Sequence, residues 1–499
     1  MFALLSGVLL VLSFPTLGHP AFAWIALVPV AVAAVRASSM REAFRHGLVT
    51  GVVHFAGTIY WIPGVMAEFG GLPVPVAWGV HALLVAYLGL FPALFVSVIW
   101  WFHRRVGSVA LLFTPAVWVT SELGRVYLFT GFPWELLGYS QAQVLWVAQL
   151  ASVVGVLGVS VLVAGVNGAL AFLVVDRRRS PRWIVAALTV AVLTLSLGFG
   201  AWRVRSGALL DAGVPLRVAA VQGNIAQSEK WDPASRDEIL EKYLIYTRRA
   251  SGEGAHLVVW PEAATPFAFG LDPDSALIRE VARGLRIHLL FGTTHVVWEE
   301  DEAKYYNSAV LLNPDGETAG MYHKQHLVPF GEYVPLRQAL FFVSPLVENV
   351  GGFTAGTEPT TLLMDEYPIG AAVCYEIIYP GLVRGLVSGG SRLLTTVTND
   401  AWYGRTAAPY QHFQQARMRA IEEGRYLVRA ANTGISGVVD PYGRVVVESG
   451  LFEDDVVVAD VRLLEDLTPY ARYGDVLAFA CGLLTLGMVA FAGRRARHA

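Results

Sequence analysis

Cysteine and charged residues are scarce in this chain, and each shortage excludes a class of protein. Only Cys374 and Cys481 are cysteines, so a disulfide framework is excluded and Cys374 should be a free thiol. Charged residues make up 15% of the 499 residues, whereas about 25% is usual for a soluble domain. Because 55% of the residues are apolar as well, the composition indicates a membrane protein.

The few charges are divided unevenly along the chain. Residues 1–202 contain 15 charged residues and no lysine, while residues 203–474 contain 58. The second segment has 34 acidic and 24 basic residues. We do not expect nucleic acid as a partner, because binding it requires a basic surface that neutralises phosphates. The division predicts a lipid-embedded part and an aqueous domain at residues 203–474.

Apolar runs predict about eight transmembrane helices, since a spanning helix needs about 20 apolar residues. Seven of the runs lie in residues 1–202, and the eighth lies in residues 475–499 before a basic cytoplasmic tail. The first two runs are short and contain Pro15 and Pro29, so a tilted hairpin or a re-entrant pair is an alternative there. The runs are 2–17, 21–35, 46–63, 76–102, 107–124, 146–175, 183–201 and 476–493.

Arginines in the short loops predict the orientation of these helices, because basic residues collect in cytoplasmic loops. With residue 1 in the cytoplasm, 12 arginines would lie inside and only Arg125 outside. Residues 203–474 would then form an external domain, outside the cytoplasmic membrane, where the chemistry must proceed without ATP. The 12 inside residues are Arg36, Arg41, Arg45, Arg104, Arg105, Arg177, Arg178, Arg179, Arg182, Arg494, Arg495 and Arg497.

Strand-like apolar runs alternate with helix-like stretches in residues 203–474, which predicts an α/β domain with a sheet covered by helices. The strand-like runs are 216–221, 256–260, 287–291, 308–312, 369–373, 393–397 and 437–440. The helix-like stretches are 236–250, 275–285 and 412–429.

Three polar residues of this domain follow or adjoin strand-like runs. Taken singly, Glu262 is explained as a strand-end carboxylate, Lys324 as a solvated lysine and Cys374 as a buried cysteine. Taken together, they are the groups that covalent acyl transfer needs. A thiolate attacks a carbonyl, a carboxylate accepts the thiol proton, and an ammonium stabilises negative charge.

Ordered motifs around these residues resemble the nitrilase superfamily, whose members carry Glu, Lys and Cys on a four-layer αββα sandwich. One such motif is weak, but several in one order are a strong signal. The motifs are Val221-Gln-Gly-Asn224, Trp260-Pro-Glu262, Tyr306-Asn-Ser308, Lys324-Gln-His-Leu-Val-Pro-Phe-Gly-Glu332, Cys374-Tyr-Glu376 and Thr398-Asn-Asp-Ala-Trp-Tyr-Gly404.

Further motifs extend the resemblance to the apolipoprotein N-acyltransferase family, the membrane-embedded branch of that superfamily. The resemblance implies transfer of a fatty acyl chain from a phospholipid to the N-terminal α-amine of a diacylglyceryl-cysteine lipoprotein. It also implies a ping-pong mechanism through a thioester on Cys374, without a cofactor. The motifs are Thr130-Gly-Phe-Pro-Trp134, Leu137-Gly-Tyr-Ser-Gln141, Gln227-Ser-Glu-Lys-Trp-Asp232, Gln411-His-Phe-Gln-Gln-Ala-Arg-Met-Arg-Ala420 and Thr468-Pro-Tyr-Ala-Arg472.

The same resemblance assigns roles to individual residues. Glu262 is expected to be the general base, Lys324 the electrostatic partner and Cys374 the nucleophile. Lys324 and the backbone N–H of Tyr375 would stabilise the oxyanion. Fold-stabilising hydrogen bonds are the alternative for Glu376, and packing is the alternative for Trp231. The supporting residues are Asn307, Glu332, Tyr375 and Glu376, with Trp231 near the lipid substrate.

Two rival functions use the same sequence features differently. A membrane-tethered amidase would let water resolve the acyl-enzyme, but a hydrolase of small polar amides gains nothing from eight spans. A transporter or scaffold does not need the Glu262, Lys324 and Cys374 set.

His323 and His326 have a spacing that a metal could use, yet no accompanying ligand set indicates zinc, and we expect no metal. We expect the protein to be a monomer.

Overall fold

The computed structural model describes residues 1–16, 18–299, 302–329, 331–333, 352–358 and 360–497, with side chains up to Phe491. The chain divides into two compact units. The first comprises Met1–Pro63, Val74–Ser206 and Tyr473–Ala499, and the second comprises Gly64–Pro73 and Gly207–Arg472. Arg494, Arg495 and Arg497 of the predicted basic tail lie outside the described side chains. The predicted domains at 1–202, 203–474 and 475–499 stay a prediction.

Helices form the first unit and flank the sheets of the second. In chain order they are α1 (Phe2–Val11), α2 (Val28–Arg36), α3 (Met40–Thr58), α4 (Ile62–Glu68), α5 (Val74–Val106), α6 (Thr114–Tyr127), α7 (Leu145–Ala148), α8 (Ala151–Val175), α9 (Arg179–Ser206), α10 (Ala208–Asp211), α11 (Arg236–Gly252), α12 (Ser275–Leu285), α13 (Pro380–Ser388), α14 (Ala408–Glu423), α15 (Pro469–Tyr473) and α16 (Val476–Arg497).

Several helices of the first unit are apolar enough for a bilayer. Among the described residues, three stretches are long enough to cross one, namely Val74–Tyr127, Ala151–Val175 and Arg179–Asp211. The bent pair of α3 and α4 passes the same test as a possible fourth span. Shorter apolar helices lie at Phe2–Val11, Pro20–Arg36 and Val476–Phe491. These helices are those of a membrane protein, and the predicted number of eight spans stays a prediction.

Helix α9 presents large apolar side chains outward. Trp183, Ile184, Leu188 and Leu195 are between 58% and 74% exposed. Contiguous apolar surface of this kind is unfavourable in water and is favourable against lipid tails. The composition of α9 therefore matches a lipid-facing helix.

Strands of the second unit form two six-stranded sheets, with orders β12-β1-β2-β3-β4-β5 and β11-β10-β9-β8-β7-β6. The sheets contact each other, α11 flanks the first sheet and packs against α12, and α13 and α14 flank the second. The strands are β1 (Val214–Gln222), β2 (Leu257–Val259), β3 (His288–Glu299), β4 (Glu302–Leu312), β5 (Thr318–His323), β6 (Leu362–Met364), β7 (Tyr367–Val373), β8 (Leu393–Thr398), β9 (Leu427–Ala431), β10 (Gly437–Val439), β11 (Val445–Glu448) and β12 (Asp455–Leu463).

Parallel pairing brings strand ends together on one side of the sheets. Strands β1, β2 and β3 are parallel neighbours in the first sheet, and β7, β8 and β9 are parallel neighbours in the second. The carboxyl ends of each set therefore lie along one edge of its sheet, where α/β proteins usually bind ligands. Glu262 follows β2, and Cys374 directly follows β7.

One predicted element is wrong in part. The sequence predicts a helix over 412–429, but α14 ends at Glu423 because Gly424 adopts a left-handed conformation with φ of 61°. Residues Leu427–Ala431 instead form β9, which pairs with β8 and β10 inside the second sheet. A glycine with positive φ is a common helix stop. The apolar residues after Gly424 therefore belong to a strand and not to the predicted helix.

Candidate active site

Three of the residues singled out in the sequence lie together in the second unit. Lys324 Nζ donates to Glu262 Oε1 at 3.3 Å, and both groups interact electrostatically with Cys374. Lys324 is 1% exposed, and Glu262 and Cys374 are each 6% exposed. The carboxylate, the ammonium and the thiol thus form one buried polar cluster, with little water to screen their charges.

The strand before Glu262 is held rigidly by the core. Trp260 is completely buried and stacks on Tyr243, with ring centroids 5.0 Å apart. Its indole N–H donates to Thr247 Oγ1 at 2.8 Å. The Glu262 backbone therefore leaves the core at a fixed point, as preorganised catalysis requires.

Asn307 and Glu332 complete the surroundings of the Lys324 ammonium. Asn307 Nδ2 donates to Glu262 Oε1 and to Glu332 Oε1, both at 2.8 Å. Lys324 Nζ also donates to Glu332 Oε1 at 3.0 Å, and the Val328 N–H donates to Glu332 Oε2 at 2.8 Å. One ammonium and one amide therefore tie the two carboxylates together. Phe330, within the predicted motif, lies outside the described residues.

Cys374 lies on a strained turn at the end of β7. It is the first residue of a short 3-10 helix, Cys374–Ile378, and has a φ of 52°. Residues other than glycine rarely adopt this left-handed conformation, which costs on the order of 1 kcal/mol or more. The surrounding hydrogen bonds therefore have to hold the turn in place.

A buried polar cluster contacts the backbone of that turn. It consists of His412, Asp400 and Arg429. His412 Nε2 lies 3.2 Å from the Cys374 carbonyl oxygen. Arg429 donates to Asp400 Oδ2 at 2.7 Å and to His412 Nδ1 at 3.0 Å. His412 Nδ1 also lies 3.0 Å from Asp400 Oδ1. Because the Cys374 carbonyl can only accept, Nε2 carries the proton of that contact. Burial, followed by the Arg429 charge, lowers the pKa of His412, and Asp400 opposes this shift.

Glu376 is directed toward the backbone on both sides of the site. Its Oε1 accepts hydrogen bonds from the Tyr322 hydroxyl at 2.8 Å, the Gln325 N–H at 2.7 Å and the His326 N–H at 3.1 Å, while its Oε2 accepts from the Val373 N–H at 2.7 Å. Burial raises the pKa of Glu376 to about 7, although these donors oppose the shift. Glu376 thus connects the segment after Lys324 to the Cys374 turn. These contacts orient the two segments relative to each other.

Tyr375 and Trp231 differ in exposure. Tyr375 is buried, with its ring centroid 5.3 Å from that of Tyr379 and 6.0 Å from that of His326. Trp231 is 50% exposed, in the turn between β1 and α11. An exposed indole can contact a lipid-like ligand, whereas the Tyr375 ring is part of the packed wall of the site.

The charges of the site indicate which group holds the proton at rest. Burial opposes ionisation of Glu262, but the Lys324 and Lys230 ammoniums outweigh it and lower the pKa of this carboxyl. Burial, followed by the Glu262 charge, raises the pKa of Cys374 to about 12. The thiol therefore holds the proton at rest, and Glu262 is ionised. A thiol beside an ionised carboxylate can lose its proton as it attacks.

Lys230 is a buried site residue that sequence reasoning did not single out. Its Nζ donates to the Glu262 carbonyl oxygen at 2.9 Å, and the side chain is 5% exposed. Hydrogen bonds join its loop to the residues that follow β8 and β9, and burial lowers the pKa of Lys230 to about 8. Its sequence signal is its place in the motif Gln227-Ser-Glu-Lys-Trp-Asp232. The hydrogen bonds of the loop are Asn224 N–H to Asn432 O, Ile225 N–H to Asn432 Oδ1 and Asn399 Nδ2 to Gln227 Oε1.

Thiol chemistry fits this arrangement better than metal chemistry. In the part of the chain that the structure describes, no three His, Cys, Asp or Glu side chains are grouped to hold a metal ion. The carboxylate of Glu262 is instead occupied by ammonium and amide donors. A nucleophile, a proton acceptor and a fixed cation are the parts of covalent acyl transfer.

Comparisons with known proteins show the family of this chain. The carbon-nitrogen hydrolase family matches residues 217–471, and the apolipoprotein N-acyltransferase N-terminal domain matches residues 6–169. An apolipoprotein N-acyltransferase of Geobacter metallireducens is 41% identical, covering 100% of this chain and 96% of the relative. An apolipoprotein N-acyltransferase of Methylococcus capsulatus is 36% identical, covering 99% of this chain and 96% of the relative.

Among solved structures, a variant of a nitrilase-superfamily amidase from Nesterenkonia AN1 is 22% identical, covers 52% of this chain and 93% of the amidase, and has a TM-score of 0.39. The full-length sequence relatives confirm the family that the motifs predict. With both of its units matched, the chain belongs to the apolipoprotein N-acyltransferase family.

Proposed function

We propose that this protein transfers a fatty acyl chain from a phospholipid to the N-terminal α-amine of a diacylglyceryl-cysteine lipoprotein, through a thioester on Cys374. The observation that carries the proposal is the buried contact of Glu262 with Lys324 beside the Cys374 thiol. Family membership supports an acyltransferase over an amidase.

The first half-reaction acylates the enzyme. Cys374 Sγ attacks the ester carbonyl of the phospholipid while its proton passes to Glu262. The carbonyl oxygen becomes an oxyanion, which Lys324 and the Tyr375 N–H stabilise. Collapse of the intermediate breaks the ester C–O bond, and Glu262 returns the proton to the departing glycerol oxygen. A lysophospholipid leaves, and a thioester remains on Cys374.

The second half-reaction transfers the chain to the lipoprotein. Its neutral α-amine attacks the thioester carbonyl and loses a proton to Glu262. The C–S bond then breaks, and the Cys374 sulfur regains that proton from Glu262. The products are an amide and the original thiol, so one carboxyl group serves both halves. Converting a thioester to an amide is downhill, which explains how the reaction runs without a nucleotide.

Supporting residues act through this set. Asn307 and Glu332 orient Glu262 and Lys324 through the bonds they share with them. Glu376 fixes the Cys374 turn, and exposed Trp231 contacts the lipid substrate. Each of these contacts places a reacting group rather than taking part in bond making.

The membrane setting follows from the substrates. Phospholipid and lipoprotein both reside in a bilayer, and apolar helices in the first unit support anchoring there. We propose about eight spans in a bacterial inner membrane, with residues 203–474 on the periplasmic side. The arginine distribution supports this orientation. A single copy of the chain contains every side chain that the mechanism uses, so we propose that it acts as a monomer.

Incubation with a radiolabelled phospholipid and no acceptor tests the proposal. We expect a label on Cys374 that hydroxylamine releases. Cys374→Ala should carry no label, and the matched Cys481→Ser variant should carry as much as the parent. Label on the alanine variant would refute the assignment of the nucleophile. After addition of a diacylglyceryl-cysteine peptide, the label should appear as N-acyl peptide, and release as free fatty acid alone would indicate a hydrolase.

A further inference from the structure

Lys324 contacts two carboxylates, and its single positive charge can neutralise only one of them. Lys324 Nζ donates to both Glu262 and Glu332, so one ammonium faces two carboxylates. With both ionised, this group carries one net negative charge. Moving a proton from Cys374 to Glu262 does not change that total, and a thiolate or oxyanion would form in a negative field that opposes it.

A second ammonium lies where it can compensate that charge. Lys230 Nζ is 2.9 Å from the Glu262 carbonyl oxygen and interacts electrostatically with Glu262 and Cys374. Its side chain is 5% exposed. Burying a lysine ammonium costs free energy unless an opposite charge or a hydrogen-bond acceptor lies next to it. Only four lysines occur in the chain, at 230, 242, 304 and 324, and two of them converge on this site.

We propose that Lys230 is a positioning residue of the acyl transfer site. It holds the Glu262 turn through the carbonyl, and its positive charge stabilises the Cys374 thiolate and the oxyanion that follows. This inference rests on the proposed function for its purpose. The effect of the Lys230 charge on the ionisation of the Cys374 thiol can be measured without any acyl transfer.

Alkylation of Cys374 by N-ethylmaleimide measures that field, because only the thiolate reacts appreciably. The parent is full-length Cys481→Ser protein in detergent micelles, in which Cys374 is the single thiol. At about pH 7 we expect Lys230→Met and Lys230→Gln to react roughly tenfold more slowly than the parent, which corresponds to a rise of about one unit in the thiol pKa. Lys230→Arg should stay within about threefold of the parent.

Comparison of the variants separates charge from hydrogen bonding. Gln keeps a donor for the Glu262 carbonyl but no charge, so parent-like reactivity in Lys230→Gln would overturn the electrostatic role. Lys304→Met is the matched control, because Lys304 pairs with Glu299 away from the site and its loss should leave the rate unchanged.

A pH series of the parent tests the proposal even if a variant fails to fold. The alkylation rate should rise less than tenfold per pH unit near pH 8, where Lys230 loses its proton, and should rise tenfold per unit in Lys230→Gln. A uniform tenfold rise in the parent would overturn the proposal. Failure of phospholipid to label Cys374 would instead refute the proposed function, and the maleimide result would stand independently.

Discussion

Gly292 in β3 lies directly against the backbone of Glu262. A Cβ atom at position 292 would be 2.5 Å from the Glu262 Cα and 2.6 Å from the Ala263 nitrogen. Both atoms belong to backbone, so neither can move aside without displacing the turn that presents the carboxylate. Hydrogen bonds link the two segments as well, from Gly292 N–H to the Pro261 carbonyl at 3.0 Å and from Ala264 N–H to the Gly292 carbonyl at 2.8 Å.

We expect Gly292→Ala to lower the rate of Cys374 acylation at least tenfold, because the methyl group pushes Glu262 away from the thiol. The free energy of unfolding should fall by about 1–3 kcal/mol through overpacking. Gly284→Ala is the control: position 284 lies in α12 with no atom within 4 Å of its added Cβ. It should retain activity and gain up to about 1 kcal/mol from helix propensity. Equal acylation rates for both variants would contradict this account.

Glu376→Gln should be harmful although the two side chains have the same size. Glu376 accepts four hydrogen bonds, and a glutamine would direct its NH2 group at one or more of the same donors. We expect a loss of about 1–3 kcal/mol in the free energy of unfolding and slower acylation, measured by thermal unfolding and by labelled phospholipid. Glu280→Gln, on the exposed side of α12, should change neither quantity. A stable, active Glu376→Gln variant would refute the orienting role.

His412→Ala should affect catalysis more than substrate binding. The substitution removes the donor to the Cys374 carbonyl and leaves the left-handed turn less constrained. We expect kcat to fall about tenfold or more with KM changed little, because the lost contact positions the nucleophile. Exposed His256→Ala serves as the control. A rise in KM alone would show that His412 shapes the substrate pocket instead.

Acyl-enzyme formation should have a bell-shaped pH dependence when it is measured without an acceptor. Glu262 must be ionised to accept the thiol proton, and its pKa lies below the ordinary 4.5, so activity should fall only as the pH drops below that value. Lys230 must stay protonated, so activity should fall as the pH rises through about 8. Rapid-quench labelling gives both limbs. An alkaline limb that persists in Lys230→Gln would assign it to another group.

Local sequence patterns were sufficient to predict the candidate site residues that follow strands. Glu262 and Cys374 each follow an apolar run, and parallel pairing aligns such ends along one edge of each sheet. The same patterns failed after α14, where Gly424 separates a buried helix from the buried strand β9. The family prediction is confirmed by relatives that match nearly the full chain.

Long-range contacts account for what the sequence could not predict. Lys230 reaches the site because Asn432, about 200 residues later, binds its loop through Asn224 and Ile225. His412 lies in a helix and Cys374 in a turn, and no periodicity connects them. Desolvation by the completed fold also determines the protonation of Cys374, which residue type alone does not.

The high pKa of the Cys374 thiol also limits its oxidation. Oxidants and disulfides react with thiolates, and a buried thiol with a pKa of about 12 presents almost none. The sulfur is therefore protected against peroxide and against mixed disulfides until an ester carbonyl occupies the site. An oxidising environment, which would inactivate an exposed low-pKa cysteine, leaves this one reduced and ready for the next turnover.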